Sequence, residues 1–435
     1  MEGNFFADIR QELMRELDQE AEWSDVQILE KIDDLVLLRT RRSSLTVNEK
    51  EQLRKELFYS VRKLDILQEL LEDDQVTEIM VNGYENIFLE KQGKRMRWDR
   101  KFVSKEKLED VIQQIAGKCN RVINENFPIV DARLENGSRV NAVVYPVALE
   151  GPILTIRRFP DHPITMEWLL KQESITMEAA EFLERAVAAG YSILIGGGTS
   201  SGKTTFLNAL SNYIPKDERI ITIEDSAELQ IQGIDNLVRL EAKPANMEGN
   251  KEITIRDLIR TALRMAPDRI VVGEIRGAEA IDLLQAWNTG HSGSLGTAHA
   301  NSSKDMISRV ETMVLMGMSL PLEAVRRQIA SGIDLMVHLG RQKDKSRKVL
   351  EITEVLGYEN GEVKLQTLFQ WDKDIRGLRK INALYHKEKM ENVVWDKEQE
   401  TYFCKGKEDR LQRVSFYMWR MGCLLDSDDS SGAFA

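Results

Sequence analysis

The stretch Tyr191-Ser-Ile-Leu-Ile-Gly-Gly-Gly-Thr-Ser-Ser-Gly-Lys-Thr-Thr205 joins a short apolar run to a helical segment through a glycine-rich loop. The β-branched run at residues 193–195, bounded by glycines, predicts a buried strand, and residues 206–210 predict a helix. The loop matches the pattern G-x-x-x-x-G-K-[ST], whose glycines let backbone N–H groups approach phosphate oxygens. The positive end of the following helix adds to that attraction. The sequence therefore predicts a binding site for a nucleoside triphosphate.

The positions of this loop have distinct expected roles. Lys203 is predicted to reach the β- and γ-phosphates, and the Thr204 hydroxyl is predicted to ligate Mg²⁺. One alternative is a glycine turn that only joins a strand to a helix. Another is a dinucleotide fingerprint, which fails because Gly-Lys-Thr replaces its third-glycine region. The expected nucleotide-binding positions are Gly197, Gly198, Thr199, Ser200, Ser201, Gly202, Lys203, Thr204 and Thr205.

Length and composition indicate an ordinary globular protein with two or three domains, because the chain has 435 residues, 42% hydrophobic and 30% charged. The formal net charge of −11 argues against a broad nucleic-acid-binding face, so we expect no nucleic-acid partner. Cys119, Cys404 and Cys423 are far apart, which favours a reducing compartment and no structural zinc. No membrane-length apolar run or signal peptide is evident. We therefore expect a cytoplasmic protein, held to the inner face of the membrane at most by partners.

Pattern changes along the chain predict four regions. Residues 1–63 have helical periodicity, with a cap at Ser24 and a capping box at Thr46-Val-Asn-Glu49, and predict a small helical bundle. Residues 64–160 alternate strands with a helix that begins at Ser104, and predict a small α/β domain. A proline-rich linker at 159–163 leads to a larger α/β domain over 161–385. Residues 386–435 form an extension of unknown fold whose acidic end we expect to be disordered.

Arginines concentrate at the strand ends of the first α/β domain: Arg133, Arg139, Arg157 and Arg158. Each one taken alone is most simply a solvated charge. As a group they allow a second interpretation, because arginine from a neighbouring domain or subunit can neutralise the charge that develops as a γ-phosphate leaves.

Polar residues also end the predicted strands of the larger domain. In open α/β sheets ligands bind outside the carboxyl ends of the strands, where the phosphate loop also lies. Glu274 follows an apolar strand and suits an outer partner of Mg²⁺ or a base that orients water; a helix-capping acid is the alternative. For His299 and His291, a purely structural role is equally compatible with the sequence. The residues at this edge are Glu224, Asp225, Glu274, Arg276, Thr297 and His299.

Four boxes in order resemble the type II/IV secretion-system ATPase family. After the phosphate loop come Ile223-Glu-Asp-Ser-Ala-Glu-Leu229, Arg269-Ile-Val-Val-Gly-Glu-Ile-Arg-Gly277 and Gly290-His-Ser-Gly-Ser-Leu-Gly-Thr-Ala-His-Ala-Asn301, which are similar to that family's Asp box, Walker B and His box. The resemblance covers roughly residues 64–370, and the CpaF-like ATPases of tight-adherence pili are the branch it resembles most. The tetracysteine zinc element of some relatives is absent, and the extension after residue 386 matches no family element.

The resemblance implies a fold, a reaction and partners. It implies a RecA-like P-loop NTPase domain preceded by a smaller α/β domain, a homo-hexamer, and hydrolysis of ATP with Mg²⁺ to power pilus assembly or secretion through an inner-membrane platform protein. Lys203 and Thr204 would bind phosphate and Mg²⁺, and Glu224 would help position metal or water. Glu274 would be the catalytic carboxylate, with His299 near the γ-phosphate. Charge-neutralising arginines in this family match Arg133, Arg139 and Arg157.

Two other classes of function remain as alternatives. A nucleic-acid motor with a RecA-like core would require DNA-stimulated hydrolysis with strong salt dependence, which the acidic balance disfavours. A GTP switch is disfavoured because no Asn-Lys-x-Asp guanine-reading element occurs.

Overall fold

The computed structural model describes residues 5–17, 23–41, 45–91, 93–159, 164–243, 252–396, 401–404 and 414–415. The chain separates into two units, Met1–Asp161 and His162–Ala435, each described here by itself. Among the described residues, no helix has both the length and the apolar character needed to cross a membrane. The predicted linker, apart from Phe159, and the acidic end of the chain lie outside these ranges. The division into four domains stays a prediction.

The first unit begins with three helices whose starts follow from local capping. Ser24 and Thr46 each close a capping box, in which the hydroxyl accepts an N–H bond and the third helical residue bonds back. Apolar residues at helical spacing, such as Ile9, Ile32 and Leu57, form a shared buried core, so the predicted bundle is confirmed for the described residues. The helices are α1 (Phe5–Leu17), α2 (Asp25–Thr40) and α3 (Val47–Arg62).

The remainder of this unit is a six-stranded antiparallel sheet packed on helix α5. The Asn82-Gly83 pair after an apolar strand predicts a hairpin, which is confirmed by the pairing of Asn82 with Asn86 across the turn, and Ser104 caps α5 as predicted. The sheet order is β3-β2-β1-β6-β5-β4. Its elements are α4 (Leu67–Leu71), β1 (Val76–Asn82), β2 (Asn86–Lys91), β3 (Lys94–Arg97), α5 (Lys105–Lys118), β4 (Ile129–Arg133), β5 (Arg139–Val143) and β6 (Ile153–Arg157).

The second unit has a nine-stranded sheet in the order β15-β14-β13-β12-β7-β11-β10-β8-β9. The six neighbouring strands β12, β7, β11, β10, β8 and β9 pair in parallel. Strands β13, β14 and β15 extend the sheet beyond β12 as an antiparallel meander. The elements up to the sheet centre are α6 (Met166–Lys171), α7 (Met177–Ala188), β7 (Ile193–Gly197), α8 (Lys203–Ser211), β8 (Ile220–Glu224), β9 (Leu237–Glu241), α9 (Ile255–Ala262), β10 (Arg269–Ile275), α10 (Glu279–Asn288) and β11 (Leu295–His299). Those that follow are α11 (Ser303–Gly317), α12 (Leu322–Gly332), β12 (Leu335–Arg341), β13 (Arg347–Glu359), β14 (Glu362–Asp372) and β15 (Gly377–Lys380).

Two apolar cores lie on opposite faces of this sheet, as expected for an α/β layer structure. Residues of α6, α7 and α8 pack on one face, and residues of α9 to α12 pack on the other. The central parallel strands β7 and β8 are buried on both faces, which explains why they read as continuous apolar runs rather than alternating ones. The mostly parallel, helix-covered sheet predicted from the sequence is therefore confirmed.

Two details differ from the sequence-based prediction. The apolar periodicity of residues 255–266 predicts a single helix, but α9 ends at Ala262, because Arg264 and Met265 close tight turns and Ala266 has a left-handed backbone (φ 51°). The extension after residue 386, which had no predicted fold, contains a helical turn and a small antiparallel sheet. These elements are α13 (Glu388–Glu391), β16 (Val393–Asp396), β17 (Thr401–Cys404) and β18 (Val414–Ser415).

Candidate nucleotide site

The phosphate loop runs from the end of β7 to the start of α8, as predicted. Gly197 lies against Ser201 and β12 so closely that a Cβ there would be 2.4 Å from Ser201 Oγ and 2.7 Å from Leu339 O. Ser200 and Gly202 have left-handed backbones, with φ of 58° and 94°. α8 begins at Lys203, so the unpaired N–H groups of its first turn lie next to this concave loop.

The Lys203 ammonium is held between the loop and the last residue of β11. Its Nζ donates to Gly198 O at 3.2 Å and lies 3.3 Å from His299 Nδ1. Because an ammonium can only donate, Nδ1 is the acceptor, and Nε2 carries the proton of a neutral ring. Burial, together with the charge of Lys203, lowers the pKa of His299 below 6.5, which keeps the ring neutral at pH 7.

Glu274 and Arg276 extend this contact across the end of β10. His299 Nε2 lies 2.5 Å from Glu274 Oε1, and Arg276 donates to Glu274 Oε2 through Nε at 2.9 Å and Nη2 at 2.5 Å. Arg276 Nη1 also donates to Asp225 Oδ2 at 2.6 Å. A continuous chain of polar contacts therefore connects Lys203 to Asp225 along the carboxyl ends of four neighbouring strands.

Glu224 has a different environment from the other carboxylates of this edge. It is only 3% exposed, and its Oε2 accepts N–H bonds from Glu228 at 2.8 Å and Leu229 at 3.0 Å. Burial raises the pKa of Glu224 to about 7, although these backbone donors act in the opposite direction. Gly273 leaves room for it, since a Cβ on Gly273 would lie 2.8 Å from Glu224 Cγ.

Two residues considered from the sequence have structural contacts. His291 Nδ1 lies 3.0 Å from Pro267 O, near the amino end of β10 and away from the phosphate loop. Thr297 is buried in β11 and donates to Gly273 O at 2.6 Å, which ties two neighbouring strands together. The sequence had placed Thr297 at the ligand edge, but its hydroxyl is used inside the sheet.

Of the four strand-end arginines considered in the first unit, three form one row across its sheet. Arg133 pairs with Arg139 between β4 and β5, and Arg139 pairs with Arg157 between β5 and β6. Paired residues in adjacent strands point to the same face, so the three side chains share a surface. Arg158 belongs elsewhere, because its buried guanidinium donates to the carbonyl oxygens of Asp73 and Val76.

The sequence reasoning missed Arg347, which contacts the phosphate loop from β13. Its Nε donates to Ser200 O at 3.1 Å. These two residues are far apart in the sequence, and only the pairing of β12 with β7 and β13 brings them together. The cluster of basic residues at 341–348 was the available signal, but a charge cluster alone does not indicate a neighbour.

The residues present fit a nucleoside triphosphate and Mg²⁺. The loop forms a glycine-lined concavity at a helix N-terminus, which suits a phosphate group. Thr204, in the first turn of α8, would hold Mg²⁺, with Glu274 and Glu224 as the nearby carboxylates predicted to support it. Within the described ranges, no group of three or more His, Cys, Asp or Glu side chains could hold a metal by itself, so phosphate oxygens and water would complete the coordination.

Comparison with known proteins agrees with this arrangement. Residues 61–412 match the family described as "Type II/IV secretion system protein". The chain belongs to this family. The match includes the six-stranded and the nine-stranded sheets and the whole Lys203–Asp225 edge.

Similar proteins have names that refer to transfer and secretion. A Mycobacterium tuberculosis (strain CDC 1551 / Oshkosh) protein named for conjugal transfer is 36% identical over 327 residues, covering 74% of this chain and 91% of the relative. The type IV secretion system protein PtlH of Bordetella pertussis (strain Tohama I) is 33% identical over 319 residues, covering 66% and 93%. This family member therefore spans nearly the full length of these relatives.

The Legionella pneumophila ATPase DotB, solved by X-ray crystallography, has a similar fold. Its TM-score is 0.50 at 22% identity, and the match covers 71% of this chain and 81% of DotB. With the parallel sheet and the phosphate loop, this similarity confirms the predicted RecA-like P-loop domain after a smaller α/β domain.

Proposed function

We propose that this family member is a motor ATPase that hydrolyses ATP with Mg²⁺ and powers pilus assembly or protein secretion through an inner-membrane platform protein. The observation that carries the proposal is the contact chain in which His299 links the phosphate-loop Lys203 to Glu274. A phosphate-binding cation and a carboxylate able to orient water thereby lie at one site. The names of the relatives support secretion or conjugal transfer as the process.

The proposed reaction uses positioning and electrostatics. Lys203 and the loop N–H groups hold the β- and γ-phosphates, and Mg²⁺, when bound at Thr204, neutralises charge on the same oxygens. Arg276 engages Glu274 Oε2 and His299 lies beside Oε1, and we assign the Glu274 carboxylate to orienting the attacking water. Because His299 is neutral, it keeps Lys203 near the γ-phosphate position without placing a second positive charge beside Glu274. Glu224, buried and bound to backbone N–H groups, is assigned a supporting role in positioning metal or water.

The arginine row of the first unit would complete the site. Arg133, Arg139 and Arg157 share one sheet face, so a nucleotide that meets this face would meet several cations together. We assign these residues to neutralising γ-phosphate charge across a domain or subunit interface in a homo-hexamer. The CpaF-like branch, a cytoplasmic location and attachment to the membrane through partners belong to the same proposal.

The decisive experiment measures ATP hydrolysis by the purified full chain together with its light-scattering mass. Both are recorded with Mg²⁺ and a non-hydrolysable ATP analogue, with and without DNA. We expect turnover, a six-subunit mass and indifference to DNA. A monomer with DNA-stimulated, salt-sensitive turnover would overturn the secretion proposal in favour of a nucleic-acid motor. Absence of nucleotide binding would overturn both.

A further inference from the structure

A strongly basic hairpin end lies beside the phosphate loop. β12 pairs with β7 in parallel, with Leu339 opposite Gly197, and then continues for two more residues to Arg341. The chain turns and returns as β13, where Arg347 is paired with Arg341. This hairpin end, residues 341–348, has five Lys or Arg and one Asp, in a chain whose net charge is −11. The sheet register therefore places it next to the loop that must receive phosphate.

One hairpin side chain bonds the loop backbone directly. Arg347 Nε donates to Ser200 O at 3.1 Å, and a Cβ on Gly202 would lie 3.5 Å from Arg347 Cδ. Ser200 is a non-glycine residue with φ of 58°, a conformation that L-residues adopt only when the surroundings hold it. The Arg347 bond is thus placed between the two left-handed residues of the loop, where it opposes relaxation of Ser200.

We infer that Arg347 is a positioning residue that holds the phosphate loop in its binding conformation through the carbonyl of Ser200. The inference deepens the proposed function and rests on it, since it concerns nucleotide binding at that site. In the free protein, Arg347 holds the loop in the binding conformation. Once a phosphate group is bound, its own contacts hold the loop, and the Arg347 bond is no longer needed. Its loss should therefore weaken ATP binding and raise KM while leaving kcat nearly unchanged.

Attraction by positive charge is the competing explanation, and the chain offers variants that separate the two. In Arg347→Gln the side-chain amide nitrogen takes the place of arginine Nε but has no charge. In Arg347→Lys the charge is kept, but the donor at the Nε position is lost. Arg341→Ala removes an equal charge from the paired position, and Arg341 Nε donates within the hairpin to Lys345 O.

The experiment measures kcat and KM for MgATP, and the Kd of Mg²⁺ with a non-hydrolysable ATP analogue, at low and high salt. The full chain, Arg347→Ala, Arg347→Gln, Arg347→Lys, Arg341→Ala and Lys203→Ala are compared. We expect Arg347→Ala to raise KM and Kd about 5-fold, the equivalent of one hydrogen bond, with kcat changed by less than about 2-fold. Arg347→Gln should restore most of the affinity. The ratio of the Kd of Arg347→Ala to the Kd of wild type should be the same at high salt as at low salt.

Each other outcome overturns the inference in a recognisable way. Unchanged KM and Kd in Arg347→Ala would exclude a positioning role. Rescue by lysine but not by glutamine, or an equal effect of Arg341→Ala that disappears at high salt, would assign the effect to charge. If wild type binds nucleotide and Lys203→Ala does not, the proposed function stands even when the positioning role of Arg347 is excluded. A wild-type chain that binds no nucleotide would overturn both.

Discussion

The two ends of β10 carry opposite kinds of charged site. At its amino end, Arg269 is 2% exposed, and its Nε and Nη2 donate to the Glu218 carboxylate. Its Nη1 donates to Val187 O at 2.6 Å and to Gly293 O at 3.2 Å. At its carboxyl end, Arg276 is exposed and shared between Glu274 and Asp225. β10 thus has a closed end, where the Arg269–Glu218 ion pair is buried, and an open end, where the ion pairs of Arg276 are exposed.

The two ends differ in whether their charged groups can change partners. A buried, fully bonded pair cannot change partners without leaving an uncompensated charge, which costs several kcal/mol. An exposed pair rearranges at little cost, because water replaces each lost partner. Glu274 can therefore exchange partners during a reaction, whereas Arg269 can only hold β10 to the elements around it.

Glu274→Gln tests the open end. Because glutamine cannot orient and polarise water as a carboxylate does, we expect kcat for ATP to fall by about 10²- to 10⁴-fold. Nucleotide binding and thermal stability should stay close to wild type, and Lys203→Ala should lose both binding and turnover. Glu241→Gln, at the end of β9 on the same edge, is the matched control. Substantial turnover in Glu274→Gln would move the catalytic role to Glu224.

Arg269→Met tests the closed end. Removing the guanidinium breaks the buried ion pair with Glu218, so we expect a loss of about 3–5 kcal/mol in the free energy of unfolding. Denaturant melts measure this loss, and Arg264→Met, at an exposed position, serves as control. Turnover per folded molecule should not change. An activity loss without a stability loss would contradict the division between the two ends.

Glu184 extends the comparison to a buried carboxyl group that lacks a hydrogen-bond partner among the described residues. It is fully buried in α7, and in the described part of the chain neither carboxyl oxygen has a hydrogen-bond partner. Burial raises its pKa from 4.5 to about 9. The folded state therefore holds this proton more tightly than the unfolded state, and stability falls as pH rises from about 4.5 to about 9.

Glu184→Gln should remove this pH dependence. We expect the variant to be more stable than wild type by about 1–3 kcal/mol at pH 8 and nearly equal at pH 5, measured by denaturant melts at both pH values. Glu178→Gln, at an exposed position of the same helix, should show no such difference between the two pH values. Equal pH profiles for Glu184→Gln and wild type would show that Glu184 has a partner or water that compensates its charge.

His299 gives the smallest expected effect. Its pKa is lowered, so the ring is neutral at pH 7 and gains a proton only as pH falls below 6.5. The imidazolium can no longer accept from Lys203, and it attracts Glu274, so we expect kcat to fall between pH 8 and pH 6, by at most about 4-fold because the pKa lies below 6.5. The pH profile of His299→Gln should lack this decline. A decline that persists in the variant would assign the titration to another group, and Glu224 is the first candidate.

Local signals predicted much of the fold. The caps at Ser24 and Ser104 and the capping box at Thr46 each act within a few residues, and all were found where the sequence placed them. Edge strand β9 and hairpin strand β3 were not predicted, because their short, partly exposed sequences have little apolar periodicity. Their strand conformation comes from pairing with β8 and β2.

The sequence by itself determined the phosphate loop, the strand-end positions of Glu274 and His299, and the family, because glycine spacing and apolar runs report local backbone geometry. Only the tertiary structure decided how charges are paired. It placed His299 between Lys203 and Glu274, took Thr297 into the sheet, aligned the arginine row of the first unit, and brought Arg347 to Ser200. These contacts depend on strand order and register, which join residues far apart in the chain and leave no local pattern.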